Sequence, residues 1–391
     1  MSNVSFKKTD SDAILYLSGH IDSGNATQTE NEISAYMSKG PVSSLTVDCS
    51  KLEYISSAGL RVLLRLRKAN ANMVITEVSS DVYEIFDVTG FTEMMEIRKA
   101  FRHISVDGCE IIGEGANGKV YRIDPETIVK LYRNPDSLPD IQKERELARK
   151  AFVLGIPTAI PYDVVRVGES YGSVFELLNA KSLAKLLLQQ EMPVDQAVAI
   201  SVDLLKKIHS TSLQSGEVPD MREVALNWVR FLKEHLPADT YAKLNTLFES
   251  VPKDNHLLHG DYHIKNVMLQ DNEALLIDMD TLCMGHPVYE FGSIFNAYVG
   301  FYTLDHEESF NFFKLPHDIC QRFWDQTLRL YFDGCTEEER AAIEKKAMLV
   351  GYVRLLRRTI RNDHTDTRQH KIDYAKERVI ELTEQVDTLL F

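Results

Sequence analysis

The chain lacks most of the features that mark secreted, membrane-spanning and metal-stapled proteins. Its five cysteines, Cys49, Cys109, Cys283, Cys320 and Cys335, are odd in number, far apart and without a C-x-x-C pair. That pattern argues against a disulfide framework and a zinc site, and it predicts a reducing, cytoplasmic setting. No apolar run reaches the roughly 18 residues that a membrane span needs. Met1 to Asp10 is polar, with no apolar stretch of the kind a signal peptide carries. Internal repeats and low-complexity tracts are absent as well. So is any excess of positive charge: 44 Lys and Arg stand against 58 Asp and Glu, a formal charge of −14. Residues 1–103 hold 11 basic and 13 acidic side chains, so most of the imbalance falls on the rest of the chain. A surface that acidic argues against nonspecific binding to nucleic acid or to an anionic membrane, and neither partner is expected.

What is present is an ordinary globular composition, 44% hydrophobic and 26% charged over 391 residues, long enough for two or three domains. Strand and helix signals alternate through the first hundred residues. Ala13 to Leu17, Ser44 to Cys49 and Met73 to Thr76 read as strands; Asn25 to Met37 and the stretch opened by Ser57-Ala58-Gly59-Leu60 read as helices. They predict one small α/β module over 1–103. The pattern breaks between Ala100 and Gly108. Strand signals then dominate to about residue 180 and helical periodicity after Ser182, which predicts a β-rich lobe over 108–180 and a helical lobe over 181–391.

Four motifs follow in a fixed order. Gly113, Gly115 and Gly118 form G-x-G-x-x-G, and the next residues, Lys119 to Ile123, alternate like a returning strand rather than opening a helix. A strand–glycine-loop–strand hairpin is the form that closes backbone N–H groups over nucleotide phosphates in kinases. Lys130 interrupts the apolar strand Thr127 to Leu131, where an ammonium needs an anionic partner. Glu146 is the partner chosen, with Leu147 and Phe152 taken to mark the buried helix face; Glu144 stays open. Asp261 and Asn266 are spaced like a catalytic base and a Mg²⁺ ligand, and Asp278 follows a buried strand, where a second Mg²⁺ ligand belongs. Asp280 is a secondary metal candidate. Arg354, Arg357, Arg358 and Arg361 recur at helical spacing and read as a solvated or salt-bridged face.

With His259-Gly260-Asp261-Tyr262-His263-Ile264-Lys265-Asn266, Asp278 and Gly285-His286-Pro287-Val288-Tyr289-Glu290-Phe291 in hand, residues 109–391 resemble the aminoglycoside phosphotransferase and choline kinase family. Glu290 stands where that family has an aspartate. The resemblance implies a bilobal protein-kinase-like α+β fold, ATP and Mg²⁺ as cofactors, and adenine bound along the hinge from Glu176 to Asn179, with Glu176 and Leu178 as contacts. It also implies a hydroxyl-bearing acceptor, which the sequence does not identify.

Residues 1 to about 100 resemble the STAS domain of anti-sigma-factor antagonists, through Leu17-Ser18-Gly19-His20-Ile21-Asp22 and Asp48 to Leu64. That resemblance implies an anti-sigma factor or similar protein as partner and makes Ser57 a candidate phosphoacceptor, with a plain helix cap at Ser56 or Ser57 as the other reading. The expected activity is ATP-dependent phosphotransfer to a small-molecule hydroxyl. Two alternatives stay open: a protein kinase acting on a STAS serine, and a nucleotide-sensing switch without catalysis.

Overall fold

The computed structural model describes residues 3–391 apart from 10, 11, 39, 41, 115–117, 135, 136, 215 and 365. The chain divides into two compact units, Met1–Ile104 and Ser105–Phe391.

In the first unit, β1 (Val4–Thr9) runs antiparallel to β2 (Asp12–Ile21). After β2 come α1 (Ala26–Met37), β3 (Ser44–Ile55), α2 (Ser57–Ala69), β4 (Met73–Val78), α3 (Ser80–Val88), α4 (Phe91–Met94) and β5 (Ile97–Lys99). The sheet order is β1-β2-β3-β4-β5, parallel from β2 onward. Leu15, Leu17, Val47 and Ile75 are buried at alternate positions, as strands covered by helices require. The opening strand lies in the stretch that reads as a polar terminus. Its alternation of Val4 and Phe6 with polar residues is short, and β2 supplies the pairing.

The second unit opens with β6 (Glu110–Glu114), β7 (Gly118–Arg122) and β8 (Thr127–Tyr132), then α5 (Leu138–Val153), β9 (Pro161–Val167) and β10 (Ser170–Glu176). These strands lie antiparallel in the order β9-β10-β8-β7-β6. The helical part follows: β11 (Lys181–Ser182), α6 (Leu183–Leu188), α7 (Val194–His209), α8 (Met221–Phe231) and α9 (Ala238–Ser250). Four short strands come next, β12 (Leu257–Leu258), β13 (Val267–Gln270), β14 (Glu273–Leu276) and β15 (Cys283–Met284). Six helices close the chain: α10 (Val288–Phe295), α11 (Phe301–Leu304), α12 (His306–Phe313), α13 (His317–Tyr331), α14 (Glu337–Asn362) and α15 (Arg368–Gln385). A capping box of Thr336 and Glu339 starts α14.

Two features position the site. The hairpin β13–β14 brings the residues before and after it together, so that Ile277 N–H donates to Asn266 O at 3.0 Å. Helices α10 and α14 cross in near contact. A Cβ on Gly351 would lie 2.6 Å from the Phe295 ring and 2.8 Å from Asn296 Oδ1, and Asn296 Nδ2 donates to Gly351 O at 3.1 Å.

Candidate active site

The strand lysine is the centre of the arrangement. Lys130 Nζ lies 2.7 Å from Glu144 Oε1 and 2.8 Å from Asp278 Oδ1, joining α5 to the segment after β14. Glu144, and not Glu146, is the partner. The buried face of α5 is Ile141, Glu144, Leu147, Ala148 and Ala151, one stripe at helical spacing, and Glu146 falls outside it, exposed. Phe152, taken to mark that face, is 46% exposed. The Tyr132 hydroxyl also bonds Glu144. Burial pushes the Glu144 carboxyl up to about 7 against the opposing pull of Lys130. Burial likewise disfavours the Lys130 charge, but Glu144 and Asp278 outweigh it and raise its pKa above that of an ordinary lysine.

The glycine hairpin pairs Gly113 with Val120 and Glu114 with Lys119. Gly115 lies outside the described residues. Gly118 answers a packing demand: a Cβ there would stand 2.0 Å from Leu131 O on β8. At Gly113 the nearest atom would be 3.5 Å away, an ordinary contact, so packing does not require that glycine. At the end of β10, Glu176 N–H donates to Ile160 O at 3.0 Å and its carboxylate accepts from Ile160 N–H at 3.3 Å. The backbone of Leu178 takes no hydrogen bond among the described residues, which leaves it open to a ligand edge.

The turn from His259 to Asn266 hangs between β12 and β13. Asn266 Nδ2 donates to Asp261 O at 3.1 Å, which turns its Oδ1 away as an acceptor. His263 Nε2 lies 3.5 Å from Asp261 Oδ2. Burial opposes the Asp261 charge, yet the contact with His263, with help from Arg354 and His259, holds its carboxyl well below the usual aspartate range. Asp261 is therefore ionised and able to accept a proton. Asp278 has a left-handed backbone, φ 66° and ψ 62°, a strained conformation for a residue with a Cβ and one found most at functional sites. Burial, and then the charge of Asp278, raise the Asp280 pKa. That crowding of carboxylates is what a cation relieves. Asn266 and Asp278 offer hard oxygen donors of the kind Mg²⁺ takes, and no cluster of three or more His, Cys, Asp or Glu ligands exists among the described residues. The two facts agree, because Mg²⁺ at phosphates uses one or two protein carboxylates and keeps waters.

Three residues outside this turn hold it, and their spacing in the sequence does not show it. Glu290, fully buried, accepts His259 N–H at 2.6 Å and Gly260 N–H at 3.0 Å. Arg354 donates to Gly260 O at 3.0 Å and to Ser293 Oγ at 2.8 Å, and Ser293 Oγ donates to Gly260 O at 3.2 Å. Arg354 thus holds the His259–Asn266 turn rather than lying on a solvated face. Its helical spacing is visible in the sequence; the loop it meets is not.

Comparison with known proteins matches both units to families. The model of the phosphotransferase enzyme family matches residues 108–307, and that of the STAS domain matches residues 3–104. The chain belongs to the phosphotransferase enzyme family. Its first unit is a STAS domain. A putative anti-sigma factor antagonist, BtrV of Bordetella bronchiseptica, is 37% identical over 94 residues, 23% of this chain and 80% of that protein. The anti-sigma-B factor antagonist of Listeria monocytogenes is 26% identical over 101 residues, 25% of this chain and 88% of that protein. Among solved structures, a thermostable mutant of aminoglycoside phosphotransferase APH(4)-Ia with ADP and hygromycin B aligns at 15% identity and TM-score 0.48, over 71% of this chain and 93% of that one. The streptomycin–ATP complex of APH(2")-IIa aligns at 16% identity and TM-score 0.48, over 79% and 98%. No helix among the described residues is long and apolar enough to cross a membrane.

Proposed function

We propose that this phosphotransferase moves the γ-phosphoryl group of ATP to a hydroxyl of a small molecule, with Mg²⁺, and that the STAS unit is a regulatory or docking module. The observation that carries it is the ion-pair path Glu144–Lys130–Asp278, running from the β-rich half of the unit to the segment beside the Asp261–Asn266 turn. Lys130 holds the nucleotide phosphates, and Glu144 holds Lys130. Asp261 takes the proton of the acceptor hydroxyl as its oxygen bonds to phosphorus and the bond to the ADP oxygen breaks. Asn266 and Asp278 hold Mg²⁺, which when bound neutralises phosphate charge. The rate enhancement comes from positioning and charge stabilisation, since phosphoryl transfer leaves little covalent work to the protein.

A small acceptor suits the short run from Asp278 through β15 to α10, which leaves no room for a long protein-docking segment. Incubation with radiolabelled ATP and a metabolite mixture tests the reading. Label should enter soluble products, and Asp261→Asn should lower that transfer by about a hundredfold or more. Label that never enters a soluble product overturns the reading, and unchanged transfer in Asp261→Asn removes Asp261 as the proton acceptor.

Phosphorylation of Ser57 is a second reading, and one observation favours it. Ser56, not Ser57, caps α2, with its Oγ accepting Ala58 N–H at 3.2 Å, and Ser57 is exposed at the first position of the helix. Intact-mass analysis after incubation with ATP tests it; a mass that never rises by one phosphoryl group removes it.

A further inference from the structure

The arginines of α14 form a row of which the catalytic turn uses one end. Arg354 holds Gly260 O, and Arg357 and Arg361 follow at successive turns, roughly 5 Å apart along the axis. The first two lie over rings of α8, Arg354 at 5.6 Å from the centre of Trp228 and Arg357 at 5.7 Å from that of Phe231. Both helices advance one turn between these stacks. Arg361 lies a further turn on, past the end of α8, and is exposed.

Neither Arg357 nor Arg361 has a carboxylate partner among the described residues, although residues 104–391 carry nearly all the acidic excess. Asp363, at the end of α14, faces another cation: Lys371 Nζ lies 3.4 Å from it and 2.9 Å from Asp305. Arg357 Nε is buried without a hydrogen bond. Burial, and then the charge of Arg361, lower the Arg357 pKa, the direction taken by a cation that lacks its anion.

We infer that Arg357 and Arg361 bind an anionic group of the acceptor, a phosphate or a carboxylate, so that the substrate is a small anionic polyol rather than a cationic aminosugar. This rests on the phosphotransfer reading and deepens it. Arg354 touches the residue before Asp261, where the hydroxyl proton goes. Along the helix axis Arg357 and Arg361 follow Arg354 by about 5 and 10 Å, the length of a short hydroxylated carbon chain. The Phe231 ring lies 5.7 Å from the Arg357 guanidinium, a planar group whose N–H donors can meet two oxygens of one anion. Such an anion would be drawn to the row over a Debye length of about 8–10 Å, so acceptor KM should rise with salt.

Calorimetry on the full chain with ribose, ribose 5-phosphate, ribonate and glucosamine tests the inference. At least one of the two anions should bind tenfold or more tighter than ribose and glucosamine, and which one does so separates phosphate from carboxylate. Arg357→Gln with Arg361→Gln should abolish that preference, and the double lysine variant should keep part of it. Arg361→Gln alone, at an exposed position, should weaken anion binding without lowering the melting temperature. Anions that bind no tighter than ribose, or that bind the glutamine variants as they bind wild type, overturn the inference. Label that never leaves ATP for any of these acceptors while the anion preference holds overturns the phosphotransfer assignment instead.

Discussion

The Glu290 carboxylate accepts the backbone N–H of His259 at 2.6 Å from a position closed to solvent. With the Gly260 N–H it forms a clamp on the turn that carries Asp261. Glu290→Gln keeps one acceptor but turns an amide N–H₂ toward a backbone donor. It should cost about 1–3 kcal/mol of stability, and kcat should fall more than nucleotide affinity. Urea unfolding and steady-state kinetics check both; a variant that keeps wild-type stability and kcat removes the clamp.

The swap between Glu144 and Glu146 is a direct contest. Glu144→Gln should lower phosphotransfer tenfold or more, a loss of about 1.4 kcal/mol of transition-state stabilisation. Glu146→Gln, at an exposed position, should transfer like wild type. The reverse result would return the lysine to Glu146.

Acidity should act through the same pair. The Glu144 carboxyl is pushed up to about 7 by burial, while Asp261 is held low by His263. As pH falls through about 7, Glu144 gains a proton and its hold on Lys130 weakens, whereas Asp261 keeps its charge. The kcat/KM for ATP, which reports the free enzyme, should therefore fall on the acid side of about 7. Glu144→Gln should flatten that limb at a lower rate. A limb that survives in the variant belongs to another group.

In the STAS unit, Ser56→Ala should cost about 0.5–2 kcal/mol, the worth of a helix cap, and Ser57→Ala should leave the melting temperature nearly unchanged. Thermal unfolding separates them. Equal losses would give both hydroxyls a structural role.

Gly118→Ala should unfold the glycine hairpin, because its Cβ would meet the β8 backbone. Gly113→Ala should keep the fold and lose nucleotide affinity. Circular dichroism and ATP titration distinguish the two.

The placement of Lys130, Asp261, Asn266 and Asp278 was legible in sequence because each sits in a short segment where spacing dictates geometry: a strand, a turn, a hairpin exit. Glu144 was less so. A buried glutamate leaves no apolar mark on its helix, and the exposed Phe152 imitated one. Arg354 lies 94 positions from Gly260, and periodicity within one helix carries no information about which distant loop that helix meets. Glu290 was conspicuous only as a substitution; its work became visible when the two backbone N–H groups it serves were placed.

The near contact of α10 and α14 at Gly351 bears on how the enzyme can move. Glu290 and Ser293 are carried by one of these helices and Arg354 by the other, and all three hold the same turn. With the two backbones almost touching, neither helix can slide without collision, so Asp261 rests on an anvil. Adjustments that accompany nucleotide entry then fall to the Lys130 ammonium, which is held by the side chains of Glu144 and Asp278 and can be released by them.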